Sequence, residues 1–204
     1  MTFDIFLHYF EYFATAIAFI YVIFQIVQKP LMWYLAILAA MCYAVVYQHN
    51  GLYAMALVQC YLICAGIYGL VDWTRSRRSA QKTENEGRII IRPFQYSVGT
   101  VSTLLAVAVF FVLHHFLELA AAPGDFAWRP WADAFMATGT MLATFFTGRR
   151  YIVSWVMWFV LDSISVGIYA RLGMYPTAVL FALYVIMAVI GFTNWRRNGV
   201  LENK

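Results

Sequence analysis

The chain has 204 residues, of which 63% are apolar and 12% charged, and its formal net charge at pH 7 is +4. This composition, with a mean hydropathy of +0.70, lies far outside the range of soluble domains and indicates a protein that spans a membrane several times. The basic residues collect in the breaks between apolar runs, so the positive charge reflects membrane topology and gives no argument for nucleic-acid binding.

Apolar runs of about 20 residues match the thickness of a bilayer. Such runs recur along the chain, separated by polar or Gly/Pro-containing breaks such as Lys29-Pro30 and Pro123-Gly124. They predict an all-α integral membrane protein with seven transmembrane helices, at 10–28, 31–48, 52–73, 93–119, 131–147, 151–170 and 175–194. The N-terminal stretch lacks a basic leader region and a small-residue cleavage site, so no signal peptide is predicted.

The distribution of Lys and Arg between the loops predicts the orientation of the helices. With seven spans, twelve basic residues fall on one side of the membrane and two, Arg129 and Arg171, on the other. The richer side includes the long polar loop at 74–92 and the pair Arg149-Arg150. Because Lys and Arg are enriched in cytoplasmic loops, the N-terminus is predicted outside and the C-terminus in the cytoplasm.

The last third of the chain repeats the first. A shift of 122 residues, without a gap, aligns seven pairs of Trp, Tyr, Gly and Arg residues: Trp33 with Trp155, Tyr47 with Tyr169, Gly51 with Gly173, Tyr53 with Tyr175, Gly69 with Gly191, Trp73 with Trp195, and Arg75 with Arg197. The shift carries the first three spans onto the last three and leaves the fourth as a connector. It predicts a 3+1+3 parallel repeat, as in SWEET-like carriers, and repeats of this kind are typical of transporters. The predicted units are 1–73, 74–130 (basic loop and connector) and 131–204.

The sixth span carries the most informative polar residue, Asp162, because a carboxylate within a membrane is costly and by default suggests a function. Trp155, Trp158 and Asp162 follow helical i, i+3, i+7 spacing, and Ser165 and Tyr169 continue the same stripe. Two indoles and a carboxylate suit a flat cationic ligand. The alternative is an Asp bonded to a neighbouring helix, with the indoles lying at the membrane interface.

Three further polar residues are candidates for function. Gln59 places an amide in the third span, where it must find a partner on another helix or in a substrate. Glu11 and Asp133 coincide under the repeat, near the outer ends of the first and fifth spans. They form a possible gate or proton site, or alternatively they are water-exposed acids at helix N-termini.

Cysteines and histidines give weaker signals. Cys60 and Cys64 lie one helical turn apart, but there is no second pair, and packing as small apolar residues explains them better than a metal site. The adjacent His114 and His115 point in different directions on a helix and cannot share a metal ion, although one could ligate haem. No nucleophile–base pair is found, so no enzyme activity, metal or cofactor is predicted, and a membrane haem or redox protein is the alternative of another class.

Two stretches resemble the nicotinamide riboside (Pnu-type) vitamin transporter family. The first runs from Gly51-Leu-Tyr-Ala-Met-Ala-Leu-Val-Gln59 to Trp73, and the second from Arg150-Tyr-Ile-Val-Ser-Trp155 through Asp162 to Trp195. The resemblance implies a SWEET-like facilitator in the bacterial inner membrane, working by alternating access. It also implies a trimer, and trapping of the vitamin through phosphorylation by a cytoplasmic kinase. Family positions that bind substrate fall on Gln59, Trp155, Trp158 and Asp162.

The chain departs from nicotinamide riboside carriers at two positions. Those carriers typically have Asn in place of Asp162 and a polar amide near Gly66. An acid in place of an amide favours a substrate with a fixed positive charge and a donor-rich edge. Thiamine has both and belongs to the substrates of the family, so the sequence ranks thiamine first, nicotinamide riboside second and riboflavin third.

Overall fold

In the computed structural model, residues 20, 22–49, 53–80, 88–121, 128–173 and 175–202 are described. Seven helices are found in this part of the chain, as the sequence predicts. Helix α1 is described at residue 20 and at residues 22–26, where it ends. The other helices and two short strands follow in chain order: α2 (Leu31–His49), α3 (Tyr53–Ala80), β1 (Ile89–Ile91), α4 (Tyr96–Ala120), α5 (Arg129–Gly148), α6 (Val153–Arg171), α7 (Tyr175–Asn198) and β2 (Gly199–Leu201).

Most helix bounds agree with the predicted spans to within a few residues, and α3 is the main exception. It continues beyond residue 73 to Ala80, and Arg77 and Arg78 lie in its last turn. Positive charge at that end interacts favourably with the helix dipole, so part of the predicted polar loop is helical. Within the described residues, four helices are long and apolar enough to cross a membrane: Met55–Ser79, Tyr96–Ala120, Val153–Arg171 and Ala178–Asn198.

Helix α5 occupies a central position among the described helices. It packs against α3, α4 and α6, while α2 packs on α3, and α6 packs on α7. Helix α4 buries only Gly99 and His114, so most of its apolar surface faces outward. An apolar helix with so little buried surface is suited to contact with lipid tails, and α4 therefore lies at the periphery of the bundle.

One end of the bundle, the basic end, contains Trp73 of α3, Arg150 of the α5–α6 turn and Trp195 of α7. The sequence predicts no strand there, but β1 and β2 form a parallel pair in which Ile90 lies opposite Val200. Beneath the strands lies a cluster of buried apolar side chains: Met32, Trp33, Trp73, Ile89, Ile91, Trp155, Ala188 and Trp195. The basic end is therefore closed by large rings and by backbone pairing.

Several contacts of the basic end occur twice, and the two copies are related by the same shift of 122 residues. Trp33 meets Trp73 edge-on, with ring centroids 5.4 Å apart. Trp155 meets Trp195 edge-on at 5.5 Å. The indole of Trp33 lies against Gly69, and the indole of Trp155 lies in the same way against Gly191. In each copy a side chain at the glycine would overlap the ring.

Hydrogen bonds from two of these indoles join the ends of helices distant in sequence. Trp73 Nε1 donates to the carbonyls of Thr147 and Gly148 at the end of α5, each at 3.2 Å. Trp195 Nε1 donates to the carbonyls of Gln25 (3.3 Å) and Ile26 (3.2 Å) at the end of α1. Carbonyls in the last turn of a helix have no N–H partner within that helix. Each indole therefore supplies a donor to the end of a helix that is distant in sequence.

The turns that follow α1 and α5 share an unusual backbone conformation. Gln28 has a φ of +52° and Arg150 a φ of +58°, and these are the two non-glycine residues with positive φ in the described chain. The left-handed conformation costs a residue with a Cβ about 1–2 kcal/mol. Both residues offset this cost with long-range side-chain hydrogen bonds, since Gln28 bonds to Ile90 and Arg150 to Asp72.

Candidate functional site

The centre of the predicted site, Asp162, lies in the apolar part of α6 and is 7% exposed. Among the described residues, no hydrogen-bond or ion-pair partner of its carboxylate is found. One turn later, Ser165 is buried and donates to the carbonyl of Leu161, so its hydroxyl is satisfied within the helix. Asp162 is therefore a buried carboxyl group in a membrane-spanning helix that the described chain leaves without a partner.

Gln59 is the corresponding polar residue of α3 and is 8% exposed. Its amide, too, has no hydrogen-bond partner among the described residues. Two residues further along, Tyr61 donates from its hydroxyl to the carbonyl of Met141 at 2.9 Å, which fixes this part of α3 against α5. On α6, Leu161 precedes Asp162 and contacts Gly139 of α5. Gln59 and Asp162 thus lie on the two helices that flank α5.

The two tryptophans of the predicted stripe have different surroundings. Trp158 is half-buried, packs on the apolar cluster of the basic end and donates from Nε1 to Thr147 Oγ1 at 3.1 Å. Trp155 belongs to the cluster itself and is 1% exposed. Its Nε1 has no hydrogen-bond partner in the described chain, which is also true of Trp33, its counterpart under the repeat. Trp158 therefore lies at the edge of the cluster with part of its ring exposed, while the ring of Trp155 is enclosed within the cluster.

The predicted gate pair is only partly described. Glu11 lies outside the described residues. Asp133 is exposed in the second turn of α5, interacts with other residues of the chain and acts electrostatically on the phenol of Tyr169. Tyr169, which continues the Asp162 stripe, stacks on Phe181 of α7 with ring centroids 5.2 Å apart. Tyr169 therefore fixes this end of the stripe against α7.

The structure reveals a polar group that the sequence analysis missed, and we call it the basic-end cluster: Asp72, Arg92, Arg150 and Glu202. Arg150, 1% exposed, donates from one guanidinium nitrogen to Asp72 Oδ2 and from the other to Glu202 Oε1, each at 2.6 Å. Arg92 closes the ring, with Nε 2.8 Å from Glu202 Oε2 and a terminal nitrogen 3.2 Å from Asp72 Oδ1. All four carboxylate oxygens are paired.

The electrostatics of the basic-end cluster favour its charged form. Burial acts to raise the pKa of Glu202, but the hydrogen bond from Arg92 and the charge of Arg150 outweigh burial and hold that pKa below its ordinary value. Burial lowers the pKa of Arg150, and the two carboxylates counteract it. Sequence spacing gives no sign of this cluster, because its ion pairs join residues that are 20 to 110 positions apart along the chain.

The histidines and cysteines do not assemble into a ligand set. His114 packs its ring 3.7 Å from that of Trp131 (centroid to centroid), and its Nδ1 lies 3.9 Å from a Glu118 oxygen. Cys42, Cys60 and Cys64 are free. Within the described residues, no group of three or more His, Cys, Asp or Glu side chains could hold a metal ion.

Known proteins share both the sequence pattern and the fold. The chain is 24% identical over 173 residues to the nicotinamide riboside transporter PnuC of Escherichia coli, covering 75% of this chain and 70% of that protein. It is 22% identical over 137 residues to the riboflavin/roseoflavin transporter RibM of Streptomyces davaonensis, covering 67% of this chain and 61% of that protein.

A solved structure extends the likeness to the whole bundle. The crystal structure of the vitamin B3 transporter PnuC matches with a TM-score of 0.65 and 15% identity, over 93% of this chain and 81% of that one. A family model described as nicotinamide mononucleotide transporter matches residues 8–197. The predicted resemblance is confirmed, and the chain belongs to the nicotinamide mononucleotide transporter family of multi-pass membrane proteins, whose members include PnuC and RibM.

Proposed function

We propose that this protein is a facilitative carrier that takes up a planar cationic vitamin, with nicotinamide riboside as its substrate. The observation that carries the proposal is the pair Gln59 and Asp162, two buried polar side chains without a partner in the described chain. Leaving such groups unpaired costs about 1–3 kcal/mol each, and a polar ligand would remove that cost. The relative named for nicotinamide riboside supports the choice of substrate.

Each site residue has a distinct proposed role. Asp162 and Gln59 hydrogen-bond the polar edge of the vitamin, and Asp162 also balances its positive charge. Trp158 stacks on the aromatic ring, a contact worth about 0.5–2 kcal/mol. Trp155 supports Trp158 from the buried cluster. Asp133, near the start of α5 at the opposite end of the bundle, is proposed to act together with Glu11 as a gate or proton site.

Alternating access would arise from rocking of two parallel three-helix halves joined by α4. The contacts duplicated at a shift of 122 residues support this 3+1+3, SWEET-like arrangement. The basic end then faces the cytoplasm, because it carries Arg149, Arg150, Arg196 and Arg197, and the N-terminus lies outside. Location in a bacterial inner membrane, trimer formation and trapping of the vitamin by a cytoplasmic kinase stay predictions of the family resemblance.

Thiamine is the second candidate, and the carboxylate of Asp162 favours it. A protonated carboxyl group can pair with the aminopyrimidine edge through two hydrogen bonds, and an ionised one can balance the thiazolium charge. The sequence ranks thiamine first on this ground, but the relatives are named for nicotinamide riboside and for riboflavin, which reverses that order. A membrane haem or redox protein using His114 or His115 has no support from these relatives.

Titration of the purified protein with nicotinamide riboside, thiamine and riboflavin, followed by tryptophan fluorescence, tests the proposal. We expect saturable quenching by nicotinamide riboside and loss of most of the quenching in Trp158→Phe, because this ring is the proposed stacking partner. Quenching by thiamine alone would transfer the site to the second candidate. The absence of quenching by all three vitamins, together with no uptake by proteoliposomes, would contradict the proposed function.

An Asp162→Asn variant separates the two candidate substrates. An amide keeps one acceptor and one donor for the aminopyrimidine edge, but it loses the negative charge that would balance the thiazolium ring. We expect thiamine affinity to fall about tenfold or more, equivalent to about 1.4 kcal/mol, with a smaller change for nicotinamide riboside. Equal affinities of wild type and variant for both vitamins would remove Asp162 from the site.

A further inference from the structure

Resting on the proposed alternating access, we infer that the segment 199–202 is a removable strap that locks the basic end shut by completing the basic-end cluster. Three attachments hold the strap. Its backbone pairs with β1, the Glu202 amide donates to the Ile91 carbonyl at 2.8 Å, and the Glu202 carboxylate receives Arg92 and Arg150. Ser76 of α3 adds a hydrogen bond at 3.3 Å.

The lock joins parts of the chain that alternating access moves relative to one another. Asp72 belongs to α3 in the first half, and Arg150 belongs to the α5–α6 turn in the second half. Arg150 also donates to the backbone carbonyl of Asp72 at 3.0 Å, so a single side chain spans the two halves. Arg92 comes from the intervening segment, and its amide donates to the Arg150 carbonyl at 3.2 Å. Opening the basic end would have to separate these groups.

The chemistry of the cluster suits a contact that is made and broken. Ion pairs removed from water gain attraction but lose hydration, and the two nearly cancel. When the basic end opens, the four charged groups regain their hydration. Separating the ion pairs therefore costs much less free energy than it would in a dry protein interior. The repeat counterpart of Arg150 behaves differently. Gln28 makes two neutral hydrogen bonds to Ile90, at 2.6 and 2.8 Å, and remains a fixed turn.

The backbone pairing of the strap has little stability of its own, which a segment that detaches requires. Its strand has three residues, and an isolated two-stranded sheet of this length has little stability of its own. Glu202 is the only carboxylate in the described part of the strap, and it contacts both arginines of the cluster. Removing this single side chain therefore leaves the strap without its ionic attachment.

The lock lies directly behind the candidate site. Trp158 donates to the Thr147 hydroxyl, and the Thr147 carbonyl accepts from Trp73, which follows Asp72 in the sequence. Two side chains therefore separate the proposed stacking ring from the cluster. A vitamin leaving toward the basic end would pass through this layer of indoles, which includes Trp155 and Trp195. Once the strap is released, the indoles of this layer can move apart.

Chemical labelling of a buried reporter tests the inference without any substrate. Ala188 lies in the indole layer and is small enough to become a reporter as Ala188→Cys, in a chain in which Cys42, Cys60 and Cys64 are replaced. A membrane-impermeant maleimide is added from the side of the basic end. We expect deletion of residues 199–204, and Glu202→Gln, to speed labelling about tenfold, the factor that corresponds to about 1.4 kcal/mol.

Two variants provide the controls. Glu202→Asp keeps the charge and should restore slow labelling at least in part. Glu118→Gln removes an exposed carboxylate near His114 and should leave the rate unchanged. Strap variants that label at the rate of Glu118→Gln, with an unchanged melting temperature, would overturn the inference. The vitamin titrations on the same variants report separately on the proposed function, since labelling can respond to the strap even if no vitamin binds.

Discussion

Two groups of buried polar residues in this protein differ in their partners. At the candidate site, Gln59 and Asp162 are buried in helices and make no hydrogen bond to any described residue. At the basic end, the carboxylates of Asp72 and Glu202 are fully paired with arginines. The difference separates two uses of polarity within a membrane protein. Polar groups that are satisfied internally hold the chain together, whereas Gln59 and Asp162 keep the hydrogen-bonding capacity that the proposed vitamin site would use.

The largest effect is expected from removing the paired partner at the basic end. Arg150→Met leaves two carboxylates to share Arg92, and we expect a loss of about 3 kcal/mol in unfolding free energy, at the lower end for buried pairs because Asp72 and Glu202 keep some exposure. Gln28→Met, at the matched position of the first half, should cost only about 1–2 kcal/mol. Thermal unfolding in detergent measures both. Equal losses would abolish the distinction between the ionic and the neutral turn.

An intermediate effect is expected from the indole layer between the two groups. A methyl group at Gly191 would overlap Trp155, and one at Gly69 would overlap Trp33, so each Gly→Ala variant should lose about 1–3 kcal/mol of stability. Gly167 has open space around it, and Gly167→Ala should be neutral or slightly stabilising. A melting temperature unaffected by Gly191→Ala would mean that Trp155 can move, and that it can join the site as freely as Trp158.

A smaller effect, on binding alone, is expected at the candidate site. Gln59→Leu replaces an unpaired amide by an apolar group, which should leave the melting temperature unchanged or raise it slightly. The affinity for nicotinamide riboside should fall about tenfold, because the ligand loses one hydrogen-bonding partner, equivalent to about 1.4 kcal/mol. A large drop in melting temperature with normal vitamin affinity would mean that Gln59 stabilises the fold, as the basic-end cluster does, and does not bind the vitamin.

The smallest effect is expected from pH. The pKa of Glu202 lies below its ordinary value of 4.5, so its ion pairs stabilise the folded chain fully above that value and weaken only as pH falls through the lowered pKa. Labelling of the Ala188→Cys reporter should therefore stay slow between neutral pH and the ordinary pKa of a glutamate, after correction for maleimide reactivity. Faster labelling at pH 6 would contradict the paired state of Glu202, which faces Arg92, Arg150, Asp72 and Ser76.

The helices were predictable because their signals are local. Apolar length and punctuation place α2 and α4 to α7 to within a few residues, and the repeat anticipates the matching positions of Trp33 and Trp155. The basic-end cluster was not predictable, since Arg150 meets Glu202 only after the chain folds back 52 residues later. The loop at 74–92 looks uniformly polar, which hides both the extension of α3 and strand β1.

The candidate site was predicted only in part, for a related reason. Helical spacing correctly places Trp155, Trp158 and Asp162 on one helix, with Asp162 buried. It cannot distinguish a ring enclosed by other rings from a ring at the edge of a cluster, because that depends on Gly191 and Trp195 of a different helix. The substrate order has a different basis: it depends on the single carboxylate of Asp162, whereas the relatives support nicotinamide riboside, ranked second from the sequence, better than thiamine.

The crossed indole bonds have a consequence for how the protein is made. The carbonyls at the end of α1 receive their hydrogen bonds from Trp195, which is 170 residues away from Gln25. During synthesis, the first three helices enter the membrane long before that donor leaves the ribosome. The early chain therefore carries an open helix end at the basic end of the bundle, where water serves in place of the indole. Assembly of this contact finishes only when the last helix is inserted, because Trp195 lies near the end of that helix.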